Sequence, residues 1–274
     1  MTPHEFLRHT PGSNCGECGY PACLAFAVAV TRGGVSPLRC PHLDRDGLPA
    51  EMTGEQGEGG GLEEVERGQD ERDMALVAHL KSRIRPLDFG ALAPVLGAEW
   101  SPDFPDRLLF PYLGRAVELD KETVSMAGGG LVDPRDQILL YNYVAFQGGR
   151  PPDNTWVGME SLPNSISKVR TLAVYCEQRL AERFSSRADV LASLCQQLDA
   201  RQGPADQSAT VGMIVPVLPM VPLYLLFWDE EPEDGFDAKV KVLFDHHVLD
   251  FLDLESLVFA AERLADRLAE MDEP

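Results

Sequence analysis

The sequence predicts an α+β protein in which a small helical module is tethered to a larger mixed α+β domain. Three observations support this prediction. Four cysteines crowd into the first 40 residues, a glycine- and glutamate-rich stretch occupies residues 47–72, and helical and strand patterns alternate irregularly over residues 73–274. Irregular alternation, rather than a repeated strand–helix unit, is typical of the α+β class. We therefore expect three segments, at residues 1–46, 47–72 and 73–274.

The cysteine spacing is the most informative motif of the chain. Cys15, Cys18 and Cys23 lie within nine residues, in C-G-E-C-G-Y-P-A-C, and Cys40 follows after a further sixteen residues. Three thiols in a tight loop plus one remote thiol is the arrangement that a cubane iron–sulfur cluster needs. Structural zinc sites more often group their ligands as two pairs, but His42 could act as a zinc ligand, so zinc stays open. Nothing marks the chain as secreted, which disfavours a disulfide framework.

The residues around the cysteines predict a loop between two short helices. Gly16 and Gly19 each follow a cysteine and permit backbone angles that turn amide N–H groups toward sulfur. Residues 22–30 are small and apolar and predict a helix that Gly33 and Gly34 end. A shorter helix is expected at residues 3–8.

This N-terminal segment resembles a known iron–sulfur module. S-N-C-G-E-C-G-Y-P-A-C-L-A-F-A at residues 13–27, followed by R-C-P at residues 39–41, is similar to the small four-iron–four-sulfur domain of the corrinoid iron–sulfur protein large subunit and of the B subunit of Rnf-type electron-transport complexes. The resemblance covers residues 1–46. It implies that one [4Fe-4S] cluster is bound by Cys15, Cys18, Cys23 and Cys40. The remaining chain is too short, and lacks the strand–helix repeat, for the corrinoid-contacting barrel of that family, so corrinoid binding is not implied.

Charge is distributed unevenly along the chain. The formal net charge of −20 argues against nucleic acid as a partner, because phosphates would repel the protein. Residues 1–46 hold four acidic and four basic side chains, whereas residues 47–72 hold eight acids and two bases. An acidic surface commonly serves solubility, and docking on a basic partner is the alternative. Because residues 47–72 lack apolar periodicity, we expect them to form a flexible tether.

The sequence predicts a cytoplasmic protein without a membrane span. The N-terminus has no apolar run of the signal-peptide type. Val211–Trp228 carries no charge but contains three prolines within seven residues, which disfavours a spanning helix. Two buried strands, Thr210–Val215 and Leu223–Phe227, are expected instead.

The body shows further helix and strand patterns. We expect a helix that begins at Asp133-Pro134 and closes at Gly148-Gly149. The remaining expected helices lie at residues 74–84, 167–184, 188–200 and 254–271, and the strands at residues 108–112, 115–119 and 239–244. P-M-V-P-L-Y-L-L-F-W at residues 219–228 and V-L-F-D at residues 242–245 resemble the domain-of-unknown-function family 3786. This resemblance covers about residues 73–270 and assigns no activity.

Few residues of the body suggest catalysis. A-G-G-G at residues 127–130 lacks the Lys-Ser/Thr of a nucleotide-binding loop and predicts a turn. Asp245-His246-His247 follows a predicted strand, where adjacent side chains point to opposite sides, so the two histidines could bind one metal only if the chain bends there. Surface or core-edge histidines are the default interpretation. Cys176 and Cys195 fall among apolar neighbours and are expected to be buried small hydrophobes.

Two functional hypotheses of different class follow. In the first, the protein is a soluble electron-transfer protein of anaerobic metabolism whose redox partner is another protein, with a corrinoid-dependent enzyme of methyl transfer as one candidate. In the second, the body binds a cofactor and performs chemistry with the cluster as internal electron source. A structural or sensing cluster is a third, weaker alternative. The motif content favours an electron-transfer or accessory protein over an enzyme.

Overall fold

The chain folds into two compact units that divide between Arg72 and Asp73. The computed structural model describes residues 2–20, 22–33, 35–44, 48, 60–204 and 208–273, with the backbone alone for residues 32–33 and 60–71. Helices and antiparallel sheets occur together, and the predicted α+β class is confirmed.

The N-terminal unit is built on two helices that share a small apolar core. Helix α1 spans Pro3–Leu7 and begins with a capping box, in which Thr2 and Glu5 each accept a hydrogen bond from the other's backbone N–H. Helix α2 spans Cys23–Gly33, and a 3₁₀ turn spans Pro37–Arg39. The helices meet where the ring of Phe6 lies 6.0 Å from that of Phe26, in an edge-on contact. Both predicted helices of this region are confirmed.

Helix α3 spans Gly60–Ile84 and begins earlier than expected. Residues 60–72, which we predicted to be part of a flexible tether, are therefore helical. Their many glutamate and arginine residues are good helix formers, and this composition outweighs the few glycines in the stretch. Residues 45–47 and 49–59, which include the first part of the predicted tether, lie outside the described residues.

The first sheet of the second unit has four antiparallel strands. Its strands, in the order β1-β2-β3-β4, are Glu99–Ser101, Phe104–Tyr112, Arg115–Asp120 and Val124–Met126. Helix α4, Phe89–Leu96, precedes the sheet and escaped prediction because it is short and contains Pro94. Helix α5, Pro134–Ala145, follows it and is capped by Asp133, as predicted.

The second sheet has five antiparallel strands in the order β5-β9-β8-β7-β6. In chain order they are Trp156–Gly158, Arg201–Gln202, Val211–Leu218, Val221–Trp228 and Lys239–Asp245. Strands β7 and β8 form a hairpin longer than predicted, in which Pro216 faces Pro222. Both prolines lie beyond the residues that pair with β6 and β9, where their missing N–H groups are not needed. Among the described residues, no helix combines the length and the apolar character needed to cross a membrane.

Helices pack beside this sheet. Helix α6, Ile166–Leu172, runs through a π-helical turn, Ala173–Glu177, into α7, Gln178–Phe184. The predicted helix at residues 167–184 is thus confirmed, with a π-helical turn that the sequence did not indicate. Helices α8 and α9 span Ala188–Gln197 and Leu254–Met271.

Candidate metal centre

The loop that carries the first two cysteines folds tightly because three of its residues adopt left-handed backbone angles. The φ angles are +52° at Asn14, +78° at Gly16 and +85° at Gly19. The N–H of Gly19 donates to the carbonyl of Gly16 at 2.8 Å. Glycine adopts these angles without steric cost, which explains the two glycines that follow cysteines. The loop therefore curls around the position of Cys18.

Asn14 connects this loop to helix α2. Its side-chain oxygen accepts a hydrogen bond from the backbone N–H of Cys23 at 2.8 Å. Cys23 is the first residue of α2, so its N–H has no partner within the helix and needs an external acceptor. Asparagine both tolerates the left-handed angle and supplies the acceptor. The contact fixes the third cysteine against the start of the loop.

Burial distinguishes one cysteine from the other three. Cys18, Cys23 and Cys40 are 8%, 7% and 7% exposed, whereas Cys15 is exposed. Cys40 ends the 3₁₀ turn Pro37–Arg39 and donates its N–H to the carbonyl of Pro37. The candidate site is thus largely enclosed and reaches the surface at Cys15.

Cys40 lies within electrostatic reach of the other three thiols. Burial raises the pKa of Cys40, and repulsion from Cys18, Cys15 and Cys23 raises it further, while the backbone N–H of His42 hydrogen-bonds to Cys40 and opposes the rise. Negative charge on the other three thiols therefore disfavours ionisation of Cys40. A group of positive metal ions between them would relieve that repulsion.

The spacing of the sulfurs bears on the zinc alternative. Within the described residues, two groups of His, Cys, Asp or Glu bring three or more ligand atoms within 4.8 Å of one another, and neither contains three of the four cysteines. Sulfurs on a single tetrahedral zinc ion, at about 2.3 Å from the metal, would lie only about 3.8 Å apart. One group does join His42 with Cys15 and Glu17, and the His42 Nε2 lies 2.9 Å from the Glu17 carboxylate. Among the described residues, the cysteine sulfurs are thus spread more widely than the ligands of a single zinc ion.

The other residues singled out from the sequence lie in the second unit. Cys176 and Cys195 are 1% and 0% exposed, which confirms them as buried small hydrophobes. His246 and His247 lie beyond the end of β9. Sequence reasoning missed Asn14, whose signal was an asparagine directly before the first cysteine.

Comparison with known proteins assigns the larger unit to a family. A family model described as "Domain of unknown function (DUF3786)" matches residues 88–267, more than half of the chain. The chain belongs to the DUF3786 family. A second family model, described as "Putative Fe-S cluster", matches residues 11–42, the segment that carries all four clustered cysteines. No solved structure matches the chain.

The curated relatives of this DUF3786 protein match only its N-terminal segment. It is 42% identical over 45 residues to the acetyl-CoA decarbonylase/synthase complex subunit gamma of Archaeoglobus fulgidus and 44% identical over 43 residues to the corrinoid/iron-sulfur protein large subunit of Moorella thermoacetica. Each match covers 16% of this chain and 10% of the relative. The chain thus spans about a tenth of these relatives' length, and the two matches, together with the family model, support an iron–sulfur cofactor.

Proposed function

We propose that Cys15, Cys18, Cys23 and Cys40 hold one [4Fe-4S] cluster and that this DUF3786 protein passes single electrons to a protein partner. The observation that carries the proposal is the placement of the four cysteines on a tight loop, at the start of α2 and after a 3₁₀ turn, with Cys15, Cys18 and Cys23 all within electrostatic reach of Cys40. When bound, such a cluster supplies one-electron redox chemistry.

The residues of the module contribute in different ways. The four thiolates bind iron, and the low exposure of three of them keeps water away from most of the site. The N–H of His42 donates to Cys40, and hydrogen bonds to ligand sulfurs are among the factors that set a cluster's reduction potential. The exposed Cys15 marks the side on which a partner can approach. This arrangement suits exchange of electrons at the surface.

Exposed apolar side chains near the cysteines in sequence favour a protein partner. Leu24 and Val28, which are 43% and 40% exposed, lie four residues apart and share one face of α2. Leu38, two residues before Cys40, is 40% exposed. The charges of residues 1–46 cancel, so contact would depend on apolar burial more than on long-range attraction.

The names of the relatives suggest the class of partner. They are subunits of an acetyl-CoA decarbonylase/synthase complex and of a corrinoid/iron–sulfur protein. By analogy, the electron acceptor is a corrinoid-dependent protein of methyl transfer, which needs low-potential electrons to regain its reduced cobalt. The corrinoid lies in that partner and not in this chain.

Anaerobic purification followed by iron, sulfide and zinc analysis tests the cluster. We expect about four irons per chain and a visible absorption band that reduction bleaches. Serine substitution of Cys15, Cys18, Cys23 or Cys40 should remove most of the iron. Cys195→Ala is the matched control, because Cys195 is a buried thiol of the other unit and should leave the iron content unchanged. Zinc without iron, or full iron in Cys40→Ser, would contradict the proposal.

Rapid mixing tests electron delivery. The reduced protein, freed of excess reductant, is mixed with a corrinoid/iron–sulfur protein whose cobalt is in the Co(II) state. We expect the cluster absorbance to return as the Co(I) band appears, with one electron transferred per cluster. A cluster that loads fully but stays reduced in this mixture would leave the cluster assignment intact and exclude this acceptor class.

A further inference from the structure

The DUF3786 unit contains a second group of metal-ligating side chains, where strand β9 ends. Asp245 is the last residue of β9, and His246 and His247 lie in the turn that follows. Because the chain bends there, the two rings do not point to opposite sides, and their centroids lie 3.7 Å apart. The condition under which adjacent histidines can serve one metal is therefore met.

A distant loop adds a fourth ligand. Strand β5 pairs with β9 so that Trp156 lies opposite Asp245, and the N–H of His246 donates to the carbonyl of Thr155 at 3.0 Å. The Asp245 carboxylate accepts hydrogen bonds from the N–H groups of Asp153 and Asn154 at 2.9 and 2.7 Å. These contacts fix the loop that contains Asp153 and Asn154, and they place the Asp153 side chain beside the histidines. The arrangement is held by the β5–β9 pairing together with the hydrogen bonds that the Asp245 carboxylate accepts from the loop.

The ligand atoms converge at distances suited to one ion. One ligand atom each from Asp153, Asp245, His246 and His247 lies within 4.8 Å of all the others. The Nδ1 atom of His246 lies 3.4 Å from Oδ1 of Asp153 and 3.9 Å from Oδ1 of Asp245. Around a tetrahedral zinc ion with N and O ligands at about 2.0–2.1 Å, neighbouring ligand atoms would lie about 3.3 Å apart. Small side-chain adjustments would close the site.

The contact between His247 and Pro151 has the form of an outer-shell hydrogen bond. Nδ1 of His247 lies 3.3 Å from the Pro151 carbonyl oxygen. A carbonyl can only accept, so this contact is a hydrogen bond in the tautomer that carries the proton on Nδ1 and leaves the lone pair on Nε2. Nδ1 is also the ring nitrogen that lies 3.9 Å from Oδ1 of Asp245. Metal-binding histidines regularly donate their second N–H to a backbone carbonyl in this manner.

The charges around the site also suit a cation. The Asp245 side chain is 1% exposed, and its carboxylate accepts hydrogen bonds from the N–H groups of Asp153 and Asn154 and, at 3.0 Å, from the N–H of His247, which favour its ionised form. In the part of the chain that the structure describes, the ion-pair partners of Asp153 and Asp245 are His246 and His247 alone. One divalent ion would balance the charge of the two carboxylates.

We propose that Asp153, Asp245, His246 and His247 bind one divalent transition-metal ion of the zinc type. Two imidazoles with carboxylate oxygens suit Zn²⁺ and neighbouring first-row ions better than Mg²⁺ or Ca²⁺, which prefer oxygen alone. Asp153 and His246 are 51% and 37% exposed, so the ion has a path of entry. The site is separate from the cysteine module and does not depend on its cluster.

Equilibrium dialysis of the full chain against Zn²⁺ tests the site, with zinc and iron measured in the same sample of anaerobically purified, chelator-washed protein. We expect one bound zinc per chain at unchanged iron content. Loss of an outer-shell partner weakens metal binding about 10–100-fold. His246→Ala and His247→Ala each remove a direct ligand, so each should weaken zinc binding by at least that factor. His79→Ala, which removes an exposed histidine of α3, is the matched control and should bind zinc like the wild type.

Three outcomes would overturn the proposal. These are no zinc bound above background, zinc binding that the His246 and His247 substitutions leave unchanged, and zinc that rises only as iron falls, which would place it on the cysteines. Asp153→Asn provides a second variant, since Asp153 is half exposed and the substitution preserves its shape. It should weaken zinc binding while circular dichroism shows the wild-type fold, and wild-type affinity in that folded variant would also contradict the site.

Discussion

Arg263 forms a two-pronged ion pair with Asp136, in which Nε and Nη2 donate to the two carboxylate oxygens at 2.9 Å each. Asp136 is 2% exposed, and the hydroxyl of Tyr112 donates to the same carboxylate at 2.8 Å. The three residues join α9, α5 and β2 in the interior of the DUF3786 unit. Burial raises the pKa of Tyr112 well above its usual range, and the negative charge of Asp136 is the second largest cause.

Removal of the guanidinium should destabilise the protein strongly. Arg263→Met leaves the buried Asp136 charge without its cation, and we expect a loss of about 3–5 kcal/mol in the free energy of unfolding. Urea denaturation followed by circular dichroism measures the change. The matched control is Arg85→Met, which breaks an ion pair with Glu122 whose partners are both 60% exposed. That substitution should cost no more than about 1 kcal/mol. Equal losses of unfolding free energy in the two variants would show that the buried ion pair stabilises the protein no more than the exposed one.

The hydrogen bond between Asn14 and Cys23 should govern how firmly the cysteine module holds its metal. Asn14→Gly keeps the left-handed backbone angle but removes the acceptor, whereas Asn14→Asp keeps both. We expect Asn14→Gly to lose about 1 kcal/mol of module stability and to release iron several-fold faster to a chelator. Asn14→Asp should release iron at close to the wild-type rate. The absorbance decay of the iron-loaded protein reports the release, and identical rates in all three proteins would exclude the capping role.

The two cysteines of the DUF3786 unit should resist alkylation. Burial raises the pKa of Cys195 to about 12 and raises that of Cys176 as well. A thiol of pKa about 12 is a thiolate in only about one molecule in 10⁴ at pH 8, and the thiolate is the reactive form. In folded, metal-free protein treated with iodoacetamide, mass spectrometry should find Cys15 modified and Cys176 and Cys195 intact until urea is added. Labelling of Cys195 as fast as Cys15 would contradict its burial.

Glu177 should make the protein's stability depend on pH. Burial raises the pKa of Glu177 above its ordinary value of 4.5, although the N–H of Val242 donates to its carboxylate. The folded state therefore holds the proton more tightly than the unfolded state, so this stabilisation is present below about pH 4.5 and is lost as pH rises through the raised pKa.

Glu177→Gln removes this dependence because glutamine stays neutral and can still accept from Val242. Relative to the wild type, the variant should gain unfolding free energy as pH increases from about 4.5 to 7.5. Urea titrations across that range measure the difference. Glu233→Gln, a change at an exposed residue, is the control. A Glu177→Gln difference that stays constant or shrinks with rising pH would reverse the assigned direction.

The apolar face of α2 should matter for electron delivery and not for cluster loading. Leu24→Glu and Val28→Glu place charge on half-exposed positions, so the iron content should match the wild type. Electron transfer to the Co(II) acceptor should slow by about tenfold or more if this face contacts the partner. Met74→Glu, at an exposed apolar position of α3, is the control. An unchanged rate in both α2 variants would move the contact elsewhere on the module.

Local patterns in the sequence predict some parts of the fold well. Helix α9 and the β7–β8 hairpin were predictable, because one has a continuous 3.6-residue periodicity and the other consists of apolar runs with high strand propensity. Strands β1, β4 and β5 were not, since each has three residues and exists only through pairing with a partner. The helical start of α3 was missed because glycine content masked good helix formers.

The two candidate sites also differ in how far local sequence patterns predict them. The cysteines are close in sequence, so their spacing alone indicated a shared site. Asp153 joins His246 and His247 across a separation of more than 90 residues through the β5–β9 pairing, which no local motif encodes. Three of the four ligands of that second site, Asp245, His246 and His247, are adjacent in the sequence and could be recognised there, whereas Asp153 could not.

The five-stranded sheet places its most apolar strands, β7 and β8, inside and its shortest strands outside. The outer strands β5 and β6 offer three and two residues, too little backbone to recruit another chain. A strand as apolar as V-P-L-Y-L-L-F-W would, if exposed at an edge, pair readily with copies of itself. The strand order therefore protects the folded protein against aggregation, and loss of the short outer strands would expose the chain to it.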